Sequence, residues 1–199
     1  MTRQGGVGRG APRAASLGAA LVLAACTVGG TVRSSVATTV ESITTSAQAA
    51  SADRIFVGTV TAVASRPKAD APKYFETVVT FRVEDTVAGS VPSTLAITLS
   101  GGEVGGIRQR VDDMPELHVG ERYVVLLEAD RTPRLTSPFV GFNQGLYRVV
   151  GADPATAVVR DRSGKSLAAD ALPAGARGAP QSDPSLGSFL DGLRAARTR

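Results

Sequence analysis

Residues Arg54–Ser65 read RIFVGTVTAVAS. Taken as an extended strand, this run puts Ile55, Val57, Thr59, Thr61 and Val63 on one face and Phe56, Gly58, Val60 and Ala62 on the other. Both faces are apolar, which is the pattern of a strand buried on two sides and therefore central to its sheet. Gly58, in the middle of such a run, marks a bulge or a close backbone approach, as in a strongly bent strand.

Strand signals continue downstream. Arg66–Lys73 (RPKADAPK) is a charged loop with two prolines. From Lys73 to Val87 the chain alternates again, with Phe75, Thr77, Val79, Phe81 and Val83 facing one way. A turn through Gly89 and Pro92 leads to Thr94–Ser100, in which Leu95, Ile97 and Leu99 point inward. The stretch Gly101-Gly102-Glu103-Val104-Gly105-Gly106 then predicts a hairpin returning through a short strand near Ile107–Val111. His118–Glu121 reads as a tight turn feeding the strand Arg122–Glu128, and shorter strands are expected at 134–137, at 146–150 and at 157–160 before a turn at Arg162–Gly164.

The ends of the chain read differently. Residues 1–13 carry Arg3, Arg9 and Arg13 and no acid, and an apolar run from Ala14 to Ala25 follows. That run is too short to span a bilayer, which takes about 20 residues, and matches the core of an export signal. It ends in Leu23-Ala24-Ala25-Cys26, which resembles a bacterial lipobox and implies acylation of Cys26, the single cysteine. Two or more acyl chains suffice for stable anchoring, so membrane attachment outside the cytoplasm, in a bacterial cell envelope, is expected. Residues 26–50 are then either a tether or, over 38–51, a short helix; 51–167 form the β domain and 168–184 a linker. The last segment, 185–199, is an amphipathic helix whose Leu186, Phe189, Leu190 and Leu193 lie on one stripe, with Asp183 as N-cap and Pro184 at the first helical position.

Charge narrows the function classes. The chain holds 22 Lys and Arg against 18 Asp and Glu, and removal of the first 25 residues takes away three arginines and no acid, leaving 19 against 18. A nucleic-acid partner is not expected of so balanced a chain. One cysteine excludes an internal disulfide, and one histidine excludes a multi-histidine metal site, so neither metal nor cofactor is expected.

The segments ADRIFVGTVTAV (52–63), VTFRVEDTVAGSVPSTLAIT (79–98) and HVGERYVVLLEAD (118–130) resemble the bacterial relatives of netrin-like domains. That resemblance implies a mainly β fold built on the small OB-like barrel shared with tissue inhibitors of metalloproteinases. The inhibitors act through an unmodified N-terminal cysteine supported by disulfides; neither has a counterpart here, so what is implied is the fold and not the inhibition. Residues 101–128 also resemble exported bacterial proteins, which points to a location rather than an activity.

Motifs that could carry chemistry are few. Gly164-Lys165-Ser166 lacks the upstream glycine of a phosphate loop, and Ser65-Arg66-Pro67-Lys68 matches S-x-x-K inside a proline-containing loop rather than at a helix start. Asp112, Asp113 and Glu116 have no calcium-loop spacing. The expected role is therefore a non-catalytic module binding an envelope protein or glycan, with its contact surface at one barrel end formed by Gly101, Gly102, Gly105 and Gly106 together with Phe139 and Phe142. The alternative is a small hydrolase using His118 with a serine and an acid.

Overall fold

The computed structural model describes residues 43–129, 137–167 and 183–198. The segment carrying Leu23, Ala24, Ala25 and Cys26, residues 134–136 of the strand expected at 134–137 and most of the expected linker lie outside the described residues. Helix α1 (Thr45–Ser51) comes first, capped by the Thr44 side chain, which accepts from the Ala47 N–H. The strands follow: β1 (Arg54–Pro67), β2 (Phe75–Ala88), β3 (Thr94–Ser100), β4 (Gly102–Val104), β5 (Ile107–Gln109), β6 (Arg122–Leu127), β7 (Leu146–Val150) and β8 (Val158–Asp161); helix α2 (Leu186–Arg197) closes the chain.

Six strands form one antiparallel sheet in the order β3-β2-β1-β6-β7-β8, and β4 and β5 pair separately. β1 is central, as its two-sided apolar pattern requires. Its first half is flanked by β6 (Arg54 opposite Leu127 through Thr59 opposite Arg122), and almost its whole length pairs with β2. The register against β2 slips at three places, between Ile55 and Phe56, between Val57 and Gly58, and between Val60 and Ala62. At the second of these a Cβ on Gly58 would sit 2.9 Å from the Arg82 carbonyl oxygen, so glycine admits the partner backbone there. Beyond Val60 the strand parts from β6 and continues with β2. The described ladder does not close on itself: no pairing joins β3 to β8 among the described residues, so the observed sheet is open where a closed barrel was expected.

Two apolar layers pack on the two faces of this sheet. Ile55 and Val57 of β1, Val124 and Leu126 of β6, and Tyr147 and Val149 of β7 face both helices, meeting Leu186, Phe189, Leu190 and Leu193 of α2. Phe56, Val60, Tyr123, Val125, Leu127 and Leu146 face the other way, against Val79 and Phe81 of β2 and Ile97 and Leu99 of β3. Two edge-to-face ring pairs, one in each layer, fix the packing: Tyr147 with Phe189 at 5.0 Å and Phe56 with Phe81 at 5.7 Å between centroids.

Helix α2 begins later than its sequence suggests. Ser185 is the N-cap, accepting from the Ser188 N–H, because Asp183 and Pro184 are drawn onto β8 instead. The Val159 N–H donates to the Pro184 carbonyl, the Leu186 N–H to the Ala157 carbonyl, and Arg160 Nε to Asp183 Oδ2 at 2.7 Å. Residues 183–186 thus cover the β8 edge, and 183–184 are part of the domain rather than of a linker. At its far end α2 is tied to α1 by Arg197, which donates to the Ala49 and Ala52 carbonyls.

Phe189 is fully buried and touches both α1's side of the core and Tyr147. Truncation to alanine is expected to cost about 3–5 kcal/mol of unfolding free energy in a denaturant titration; a loss below 1 kcal/mol would mean that α2 is not integral to the core.

Candidate functional site

The residues expected to form one contact surface are distributed over two places. Gly101 and Gly102 begin the β4–β5 hairpin, which is held against β1 and β2 at close quarters. Thr77 Oγ1 donates to the Gly101 carbonyl at 2.8 Å, Ser65 Oγ lies 3.0 Å from Thr77 Oγ1, and Gln109 bridges to Lys73 and Phe75. A Cβ on Gly102 would come within 2.5 Å of both hydroxyls, and its φ of +138° is itself reserved for glycine. The hairpin is as expected but tighter: Gly105 and Gly106 form a two-residue turn, with φ of +59° and +79°, and project into open space. The hairpin borders a groove of about 670 Å³ lined by Ser65, Thr77, Leu99 and the segment Arg108–His118.

Phe139 and Phe142, three residues apart, have opposite fates. Phe139 is completely buried and bridges to Leu127 in the second apolar layer. It is a core residue and is withdrawn from the contact surface. Phe142 is half-buried and lines a separate depression of about 500 Å³ with Ile43, Gln48, Asp113, Tyr147 and Arg162. The loop carrying it is a closed hook: the Val140 N–H donates to the Leu126 carbonyl, the Leu126 N–H to the Gly145 carbonyl, and the Gly145 N–H to the Val140 carbonyl. Gly141 and Phe142 both take positive φ, +59° and +65°, to complete the bend.

A bulky aromatic side chain in the left-handed region is costly and uncommon. Among the described residues only one other non-glycine residue has positive φ, Asp113 at +61°, and it lines the same depression. The two are joined through Asn143, a buried side chain that donates to the Asp113 carbonyl at 2.6 Å and accepts from Ser137 Oγ. Arg162 also donates to that carbonyl at 3.0 Å. The floor is a buried polar cluster in which Tyr147 Oη donates to Gln48 Oε1 at 2.7 Å and lies 3.2 Å from Thr45 Oγ1. Burial pushes the Tyr147 hydroxyl up to about 12, against the opposing effect of those two hydrogen bonds, so it stays neutral at physiological pH.

The acids of the 112–116 segment do not converge. Asp113 pairs with Arg162, while Glu116 pairs with Arg108 and Arg110. Among the described residues no group of three or more His, Cys, Asp or Glu side chains is placed to hold a metal ion. His118 sits in the expected turn: its N–H donates to Glu121 Oε2 and its carbonyl accepts from the Glu121 N–H. The imidazole is exposed and makes no hydrogen bond to a serine or an acid among the described residues.

Sequence patterning did not single out Glu121. Its carboxylate accepts from Tyr123 Oη at 2.6 Å, from the His118 N–H at 3.1 Å, and from Arg148 Nη2 at 2.5 Å. Burial opposes its ionisation, but the two hydrogen bonds and the Arg148 charge outweigh that and hold the carboxyl below its ordinary value of 4.5. Tyr123 responds in the opposite sense: burial and the adjacent carboxylate raise its hydroxyl well above the usual range. No family model, curated protein or solved structure matches this chain.

On acidification the unfolded Glu121 takes up its proton before the folded one, so its stabilising contribution is present above about pH 4.5 and is lost as pH falls through the lower folded value. Wild type should therefore lose stability below pH 4.5 more steeply than Glu121→Gln in chemical denaturation across pH 3–7. Parallel curves for the two proteins would show that the carboxylate is not held in this network.

Proposed function

We propose that this chain is an exported lipoprotein of a bacterial cell envelope, held on the membrane by acylated Cys26, and that its β domain binds a protein or glycan partner without catalysis. The anchoring half of the reading is supported by the arginine-rich start, the short apolar run and Leu23-Ala24-Ala25-Cys26. The architecture is read as an OB-like barrel left open on one side: the bulged β1, shared between the meander β1–β2–β3 and β6, supports it.

The binding half rests on one observation. Phe142, half-buried and strained, sits at the lip of a depression beside the other strained non-glycine residue, Asp113. Strain of this type costs of order 1–3 kcal/mol and concentrates where a ligand or partner docks. The Gly101–Gly106 hairpin borders the neighbouring groove, and Asp113 lines both depressions. The contact surface is therefore Phe142, Asp113 and the hairpin glycines.

Two measurements test the two halves. Intact mass spectrometry should show a mature protein beginning at an acylated Cys26; an unmodified protein beginning at Ala50 or elsewhere contradicts the anchor. Phe142→Gly should leave folding stability within about 1 kcal/mol of wild type, because relief of the left-handed strain offsets lost burial, while weakening partner cross-linking in intact envelopes. A loss of about 3 kcal/mol or more would put the ring in the core and remove the site.

A further inference from the structure

Four arginines distant in sequence meet at the end of the sheet where β6 begins and β7 finishes. Arg82 and Arg122 lie opposite Thr59 from its two sides, in β2 and β6, and so share the sheet face that carries the helices. Arg148 lies opposite Tyr123 and Arg160 opposite Arg148, which puts this second pair on the other face. Because β6 starts at Arg122 and β7 ends at Val150, the β6–β7–β8 half of the sheet stops here, while β1 and β2 run on together. Side chains from both faces reach round its end into one depression of about 730 Å³, which Glu84 and Glu121 also line.

Three of the four guanidiniums are held by hydrogen bonds that use only part of the fork, Arg160 having a second and longer one from Nη1 to the Gly164 carbonyl at 3.5 Å. Arg122 Nε donates to Glu84 Oε2 at 2.7 Å, Arg148 Nη2 to Glu121 Oε1 at 2.5 Å, and Arg160 Nε to Asp183 Oδ2 at 2.7 Å. Arg82 Nη2 stands 3.7 Å from Glu84 Oε1, too far for a hydrogen bond. Both Nη groups of Arg122, Nε and Nη1 of Arg148, Nη2 of Arg160 and the whole Arg82 fork are left without a protein acceptor among the described residues. Four positive charges face three carboxylates, since Glu84 serves two arginines.

We propose that this sheet end is a binding site for a phosphate group, borne either by a soluble ester or by a lipid headgroup. Three held guanidinium forks and the unengaged Arg82 fork, all with spare donors, match a tetrahedral oxyanion, whose several oxygens can accept from more than one fork; a carboxylate has only two. The three acids hold the local excess to a single positive charge, which suits one phosphate rather than a polyanion. The site is separate from the Phe142 depression and does not depend on acylation of Cys26.

The test titrates the full chain with inorganic phosphate, following the arginine Nε–H resonances by NMR, and with phosphatidylglycerol vesicles against phosphatidylcholine controls. Arg82→Gln and Arg148→Lys serve as variants; the Arg82 side chain is exposed and makes no hydrogen bond among the described residues, so its loss spares the fold. The expected result is saturable binding of inorganic phosphate, of the anionic vesicles in excess of the neutral ones, or of both. Each variant should weaken it about tenfold, the effect of losing one charge-assisted hydrogen bond. Binding of inorganic phosphate alone assigns a soluble ester; binding of anionic vesicles alone assigns a headgroup. No saturation by either probe up to about 10 mM phosphate, or equal affinity in wild type and both variants, overturns the proposal.

Discussion

Everything in this domain depends on β1 being buried on both faces at once. Ile55 and Val57 belong to the layer under the helices, while Phe56 and Val60 belong to the layer under β2 and β3. A strand in that position cannot offer a polar face, and its backbone can be satisfied only by neighbours on both sides, which β2 and β6 supply. The register slips around Gly58 and Val60 then bend the strand away from β6. Its remaining length is left to pair with β2 and to meet the β4–β5 hairpin through Ser65 and Thr77. The groove beside the hairpin and the arginine-lined sheet end both exist because β1 and β6 diverge.

The rest of the structure protects that arrangement. The β8 edge is covered by residues 183–186, with Asp183 engaging Arg160 and Ser185 starting α2. The helices are locked to each other through Arg197 and to the sheet through Tyr147, whose ring packs on Phe189 while its hydroxyl serves Gln48 and Thr45 of α1. A buried tyrosine satisfied in this way adds apolar area without leaving an orphaned donor.

Period-two alternation is a local signal, so most of the sheet was legible from sequence. The two-sided run at 54–65, the inward Val79 and Phe81, the Leu95-Ile97-Leu99 face and the α2 stripe all follow from it. The N-cap of α2 was misplaced by two residues because a β-edge pairing outcompeted two good helix-start residues, and pairing is not a local property. Closure was not legible for the same reason. Phe139 and Phe142 read alike in sequence; what separates them is the pair of positive φ angles at Gly141 and Phe142, which turns one ring in and the other out. The arginine cluster gave no sequence signal, since Arg82, Arg122, Arg148 and Arg160 are brought together only by cross-strand register.

If one strand serves both apolar layers, the layers cannot unfold separately. Native-state hydrogen exchange of the adjacent amides of Phe56 and Val57, whose side chains enter opposite layers, measures this most directly. Both should exchange only through global unfolding, with equal free energies that match the value from chemical denaturation and with the same denaturant dependence. Exchange of the amides in one layer's strands at a lower free energy, as a separate cooperative unit that leaves the other layer intact, would contradict the account.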